Sequence, residues 1–177
     1  MPRLDKVYIA FGSNLGDRRS TFAAAARELA SSPGLRWLSG SHVYESMAWP
    51  DPSAPAYLNA VASLACSVPP HALLERLLRV EASFGRQRDP TARWAPRTLD
   101  LDLLVHGQAC LRDAILCLPH PRLSERRFVL EPLAELAPEL VHPVLGKTMA
   151  ELLASCPDLG PCVRQPFRLE PSAPRPL

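Results

Sequence analysis

Residues 98–106, TLDLDLLVH, alternate leucine with aspartate and then turn wholly apolar. With a side-chain period of two, this pattern makes a β-strand that sends Leu99, Leu101 and Leu103 to one face and Asp100 and Asp102 together to the other. A chain carrying it has to build a sheet with a buried face, and it has to find a cation for the opposite one. The two carboxylates stand about 6.6 Å apart along the strand. At an effective dielectric of about 20 they repel by roughly 2.5 kcal/mol, a cost that a divalent ion between them reverses. Few, hard oxygen ligands suit Mg²⁺, which takes one or two carboxylates and completes its shell with water and substrate phosphates.

The remaining periodicities say what kind of sheet this strand joins. Residues 6–13 (KVYIAFGS) read as a buried strand ending in a turn, and Asp17 can cap a helix that runs through Ser31 before Pro33-Gly34 stops it. Residues 35–46 and 57–67 read as two strands joined by the Pro-rich segment MAWPDPSAPA. Pro70 opens a second helix, whose Leu73, Leu74, Leu77, Leu78 and Val80 form a broad apolar face, and Gly85 closes it. Strand, helix, strand, strand, helix, strand is the order of a ferredoxin-like α+β sandwich (βαββαβ), with an antiparallel sheet and helices on one of its faces. Ser124 can cap a further helix containing Pro132, and residues 148–154 form a short final one, so a C-terminal helical elaboration follows. Residues 1–166 are expected to form a single domain, and 167–177 a disordered Pro-rich tail.

Composition excludes several classes. A chain of 177 residues can bury roughly 70% of its unfolded surface, so a core needs no disulfide or structural metal. The five cysteines form no CxxC pair and are odd in number, which points to reduced thiols in a reducing, cytoplasmic setting. The short apolar run at the start is broken by Gly12 and Asn14 and reads as a strand, not as a signal peptide; no stretch is long enough for a membrane helix. A net charge of +2 does not call for nucleic acid. The charge is concentrated, however. Arg86, Arg88, Arg93 and Arg97 lie in the segment that runs into the aspartate strand, GRQRDPTARWAPRTLDLDLL. Guanidinium forks bind phosphate in a bidentate way, so cations and metal ligands at one end of a sheet are what phosphoryl transfer needs.

RWAPRTLDLDLL also resembles the signature of the hydroxymethyl-dihydropterin pyrophosphokinase family of folate biosynthesis. The resemblance extends to AFGSNLGDR, YLNAV, VEASFGR and LPHPRLSERRFVLEPLAELAPEL, in that order along the chain. It implies transfer of the βγ-diphosphate of ATP to the hydroxymethyl group of 6-hydroxymethyl-7,8-dihydropterin, with AMP leaving. It implies two Mg²⁺ ions on Asp100 and Asp102, ATP as co-substrate, and catalytic roles for Arg86, Arg88, Trp94 and Arg97. Glu81, Arg88, Arg97, His120 and Arg126 become nucleotide contacts. Tyr57 and Phe128 become the rings that sandwich the pterin, Asn59 its hydrogen-bonding partner, and Ser46, Trp49 and Trp94 further contacts. Small-molecule substrates, no nucleic-acid or membrane partner, and a monomer are expected. The loop SMAWPD departs from the family, with Trp49 and Pro50 where a smaller aliphatic residue and glycine are usual.

Two other readings are open on the residues alone. A ferredoxin-like sheet with aromatics and arginines could stack single-stranded RNA, although the RNP pattern is absent and an acidic strand occupies its place. A kinase transferring one phosphate is the second, although GSNLGDR lacks the spacing and lysine of a Walker loop.

Overall fold

The computed structural model describes residues 4–48, 53–85 and 97–171. Its elements in chain order are β1 (Asp5–Ser13), α1 (Arg18–Ala30), β2 (Leu35–Gly40), β3 (His42–Ser46), β4 (Tyr57–Cys66), α2 (Pro70–Ser83) and β5 (Asp100–His106). These are followed by a small hairpin, β6 (Leu111–Arg112) with β7 (Cys117–Leu118), a 3-10 turn Leu123–Glu125, α3 (Arg127–Leu136), α4 (Met149–Ala154) and β8 (Cys162–Arg168). The main sheet runs β5-β1-β4-β3-β8, with β2 also paired to β4, and every pairing in it is antiparallel.

The strand period sorts residues between two cores. Val7, Ile9 and Phe11 of β1 and Leu99, Leu101 and Leu103 around β5 pack with Phe22, Ala26 and Leu29 of α1 and Leu73, Leu77 and Val80 of α2. On the other face, Tyr8, Val61 and Leu104 pack with Leu123, Val129, Leu130, Leu133, Met149 and Leu152. The C-terminal elaboration is therefore a second helical layer, and the sheet is covered on both faces. α1 begins as its sequence dictates, with Asp17 accepting the Ser20 N–H at 3.1 Å.

Three expectations are corrected. The strand anticipated over 35–46 is broken at Ser41, whose Oγ accepts the Val61 N–H at 2.9 Å, so β2 and β3 meet β4 as separate pieces. Ser124 caps nothing: it lies inside the 3-10 turn, and α3 starts after Arg126. Residues 167–169, assigned to a tail from sequence, belong to the fold, because β8 continues through Arg168 against β3 and Leu169 is buried in the first core. Pro166 concealed this strand, but an end strand tolerates a residue with no N–H to donate.

Between α3 and α4 the chain turns on His142. Its ring is buried, and Nδ1 accepts the N–H groups of Val144 at 3.3 Å and Leu145 at 3.1 Å. Burial lowers its pKa below the ordinary histidine value, as accepting at Nδ1 requires. A histidine whose folded pKa is depressed contributes stability above its unfolded pKa of about 6.5 and loses it as pH falls through the folded value. His142→Asn keeps an acceptor but cannot titrate. Urea denaturation from pH 8 to pH 5 is expected to show the wild type losing more stability than this variant below about pH 6.5; parallel profiles would contradict the assignment.

Candidate active site

The site lies on the α3 face of the sheet, and its floor follows from register. Asp100 of β5 is opposite Gly12 of β1, and Gly12 is opposite Asn59 of β4; one step along, Asp102 is opposite Ala10. At about 4.8 Å between strands, Asp100 and Asn59 stand roughly 10 Å apart across a floor that carries no side chain at Gly12. Small residues on β1 leave the aspartates open above the sheet. A cavity of about 580 Å³ occupies this space. Its lining includes Ser46, Tyr57, Asn59, Arg97, Asp100, Asp102, Arg126 and Phe128, so the structure brings together eight of the residues named from sequence.

Each carboxylate has cationic company. Arg97 Nη1 donates to Asp100 Oδ2 at 2.6 Å, a short charge-assisted bond. Burial pulls the Arg97 pKa down, but the Asp100 carboxylate outweighs it and the net direction is upward. Arg126 Nη1 lies 3.8 Å and His120 Nε2 4.0 Å from Asp102 Oδ2. Burial lowers the His120 pKa against the pull of Asp102. Burial also lowers that of Arg126, which keeps its charge all the same. His120 is placed by the backbone, its N–H donating to the Leu104 carbonyl of β5 at 2.8 Å.

On the far side of the floor, Asn59 Nδ2 donates to Ser46 Oγ at 2.8 Å, which leaves its carbonyl oxygen turned to other partners. Phe128, in the first turn of α3, lies under the Arg126 guanidinium at 5.8 Å from its ring centroid. The two ends of the site are tied by Asn14, which is 3% exposed. Its Oδ1 accepts the Arg97 N–H at 2.7 Å, its own N–H donates to the Arg97 carbonyl at 3.0 Å, and its Nδ2 donates to the Pro55 carbonyl at 3.3 Å. The GSNLGDR segment thus acts as a strand-to-helix turn that fastens the entrances of β4 and β5.

Glu81 is placed differently from its expected nucleotide role. It is 1% exposed on α2, on the core side of β5, and Oε1 accepts the Leu101 N–H at 2.7 Å. It does not line the cavity. Arg86, Arg88, Arg93, Trp94 and Trp49 lie outside the described residues. Sequence reasoning missed Arg122, Glu125, Arg127, Asp158, Gly160, Pro161 and Cys162, which also line the cavity. Arg122, Glu125 and Arg127 lie within the PRLSERRF stretch that carried the resemblance, whereas CPDLGPC gives only turn signals. Burial, with Glu131 nearby, pushes the Cys162 thiol up to about 12, so it is no nucleophile.

Comparison with known proteins decides the family. The family model for 7,8-dihydro-6-hydroxymethylpterin-pyrophosphokinase (HPPK) matches residues 8–138. The chain belongs to this family. A 2-amino-4-hydroxy-6-hydroxymethyldihydropteridine pyrophosphokinase of Methylorubrum extorquens is 40% identical over 157 residues, 89% of this chain and 97% of that protein. One from Pseudomonas aeruginosa is 41% identical over 157 residues, 89% of this chain and 95% of its own length. Among solved structures, Plasmodium falciparum HPPK-DHPS with pteroate superposes with a TM-score of 0.66 at 12% identity, covering 86% of this chain and 44% of that one. An HPPK-DHPS in complex with substrates gives 0.68 at 13%, covering 88% and 43%. These structures share the fold, and this chain spans less than half of their length.

Glu81→Ala removes the acceptor of a buried strand N–H and is expected to cost about 1–3 kcal/mol. Glu81→Gln keeps an amide oxygen there and should cost clearly less. Urea denaturation of the two variants decides it, and equal losses would rule out the hydrogen bond as the source.

Proposed function

We propose that the cavity over the Asp100–Gly12–Asn59 row is where this HPPK-family chain joins its two substrates. The reaction is pyrophosphoryl transfer from ATP to 6-hydroxymethyl-7,8-dihydropterin in folate biosynthesis, catalysed by an ATP-dependent diphosphotransferase. One observation carries the reading: the carboxylates with their arginines stand on the same sheet face as the Tyr57, Asn59 and Phe128 group, and a glycine separates them. A triphosphate on the first side and a flat heterocycle on the second would meet over Gly12.

The chain's own groups account for most of what such a transfer needs. Tyr57 and Phe128 offer aromatic faces, and stacking adds roughly 0.5–1.5 kcal/mol beyond burial. Asn59, whose amide nitrogen donates to Ser46 and to the Tyr44 carbonyl, can offer its carbonyl oxygen as an acceptor to a heterocycle edge. Arg97, Arg126 and Arg122 line the phosphate side and can take up charge as it moves to the leaving AMP. Arg86 and Arg88 precede Arg97 in the same segment and extend this set. Holding both reactants at one floor converts a two-body encounter into an in-line attack by the hydroxymethyl oxygen on the β-phosphorus.

Asp100 and Asp102 would hold Mg²⁺. Among the described residues no group of three or more His, Cys, Asp or Glu side chains converges as a metal site. Two hard carboxylates open to a cavity nevertheless suit an ion that draws its other ligands from phosphate and water. When bound, such ions neutralise the triphosphate and fix its orientation. The fold can be read in the same spirit. β2 and β3 flank Ser41 and both pair with β4, so they count as one interrupted strand, and β1-α1-β2/β3-β4-α2-β5 becomes a ferredoxin-like βαββαβ unit. The RNA-binding and one-phosphate readings are not favoured for a member of this family.

Asp102→Ala is expected to lower kcat/KM for pterin-dependent AMP formation by about a hundredfold or more. Its side chain is 37% exposed, so stability should change by no more than about 0.5 kcal/mol. Near-normal turnover at saturating Mg²⁺ would refute the metal role.

A further inference from the structure

The family match ends at residue 138, but the cavity wall continues beyond it through Asp158, Gly160, Pro161 and Cys162. Cys162 opens β8 and pairs with Ser46 of β3, which in turn pairs with Tyr57 of β4. β8 thereby extends the Tyr57 side of the floor by one strand. The side chain of Asp158 joins this wall to the first turn of α3.

α3 starts without a cap of its own. Arg126 stands at the N-cap position and makes no side-chain capping bond, because a guanidinium has no acceptor for the first-turn N–H groups. Asp158 fills that role from a distant segment. Its Oδ2 accepts the Arg127 N–H at 3.1 Å, and its Oδ1 accepts the Gly160 N–H at 2.9 Å. A carboxylate at the start of a helix also meets the positive end of the helix dipole. On either side of the capped residue are Arg126, 3.8 Å from Asp102, and Phe128, whose ring lies beneath that guanidinium. The opposite end of α3 is held separately. Glu135 accepts from the His42 N–H at 3.1 Å, the His42 ring at 2.8 Å and the Tyr44 hydroxyl at 2.9 Å. The helix is therefore fastened to the sheet at its C-terminal end, and Asp158 fixes the end that faces the cavity.

We infer that Asp158 is a positioning residue for the transfer reaction. By joining the backbone N–H groups of Arg127 and Gly160, it keeps the first turn of α3, with Arg126 and Phe128, in register with the β8 wall. The inference rests on the reading that ATP and the pterin share this cavity. Arg126 lies beside Asp102 and Phe128 lines the same cavity as Tyr57 and Asn59, so loss of the cap should weaken both substrates and leave the chemical step at saturation almost untouched.

Steady-state kinetics of Asp158→Ala, Asp158→Asn and Thr148→Ala test this. Asp158→Ala is expected to raise KM for both ATP and the pterin by about fivefold, with kcat within about twofold of wild type. Asp158→Asn keeps one of the two acceptor oxygens and is expected to show a smaller rise in both KM values than Asp158→Ala. Thr148→Ala removes the capping box of α4, formed with Glu151 away from the cavity. It matches the stability loss of a missing cap and should leave KM unmoved. If Asp158→Ala does not fold, Asp158→Ser should show a smaller rise in both KM values. Wild-type KM values in the Ala or Ser variant overturn the inference, as does an equal rise in Thr148→Ala. A wild-type protein that makes no pterin-dependent AMP overturns the shared-cavity reading itself. Wild-type turnover with unmoved KM in the variants overturns only the role of Asp158.

Discussion

Two carboxylates on adjacent site-face positions of one strand set the terms for everything around them. Asp100 and Asp102 repel, so the fold has to supply positive charge, and it does so from two directions. Arg97 arrives from the segment before β5, and Arg126 from the segment after it. β1 contributes only Ala10 and Gly12 beside them, which keeps the space above the carboxylates open for a ligand. β5 is also an end strand of the main sheet, and unpaired edges are a liability. Here Glu81 takes the Leu101 N–H and the His120 backbone takes the Leu104 carbonyl, so the edge is closed by groups that also hold the strand in place.

The same period-two rule divides the labour between the faces. Leu99, Leu101 and Leu103 bury into the core with α1 and α2, while the aspartates between them look toward α3. A one-residue slip of β5 would exchange the two sets, burying carboxylates and exposing leucines, so the chemistry and the core enforce one register. The second helical layer is what turns an acidic sheet face into a cavity. α3 brings Phe128 and Arg126 over the floor, and its far end is pinned through Glu135, where bonds from His42 offset the effect of burial and hold the carboxylate pKa below its usual value.

Periodicity, apolar runs and turn signals made β1, α1, β4, α2 and β5 legible in the sequence, because each is long and carries a continuous apolar face or run. The floor of the site was legible for the same reason, since residues two apart on a strand share a face whatever they pack against. The aromatic and amide contacts came from the family resemblance, not from spacing. Elements fixed by distant partners were not readable. The break at Ser41 depends on a hydroxyl reaching Val61, and β8 depends on an edge that β3 offers. Asp158 caps a helix 31 positions before it, which no local pattern records. Glu81 was drawn to the nucleotide by its place before the arginine segment, whereas burial and a strand N–H put it to work on the core side.

The central claim is that one cavity joins a triphosphate to a pterin and moves two phosphates at once. The most direct measurement is product analysis after incubating the protein with ATP, Mg²⁺ and 6-hydroxymethyl-7,8-dihydropterin, with and without the pterin. The account predicts AMP and the pterin diphosphate in equal amounts, and no AMP when the pterin is left out. ADP as the product, or AMP released without the pterin, would contradict it.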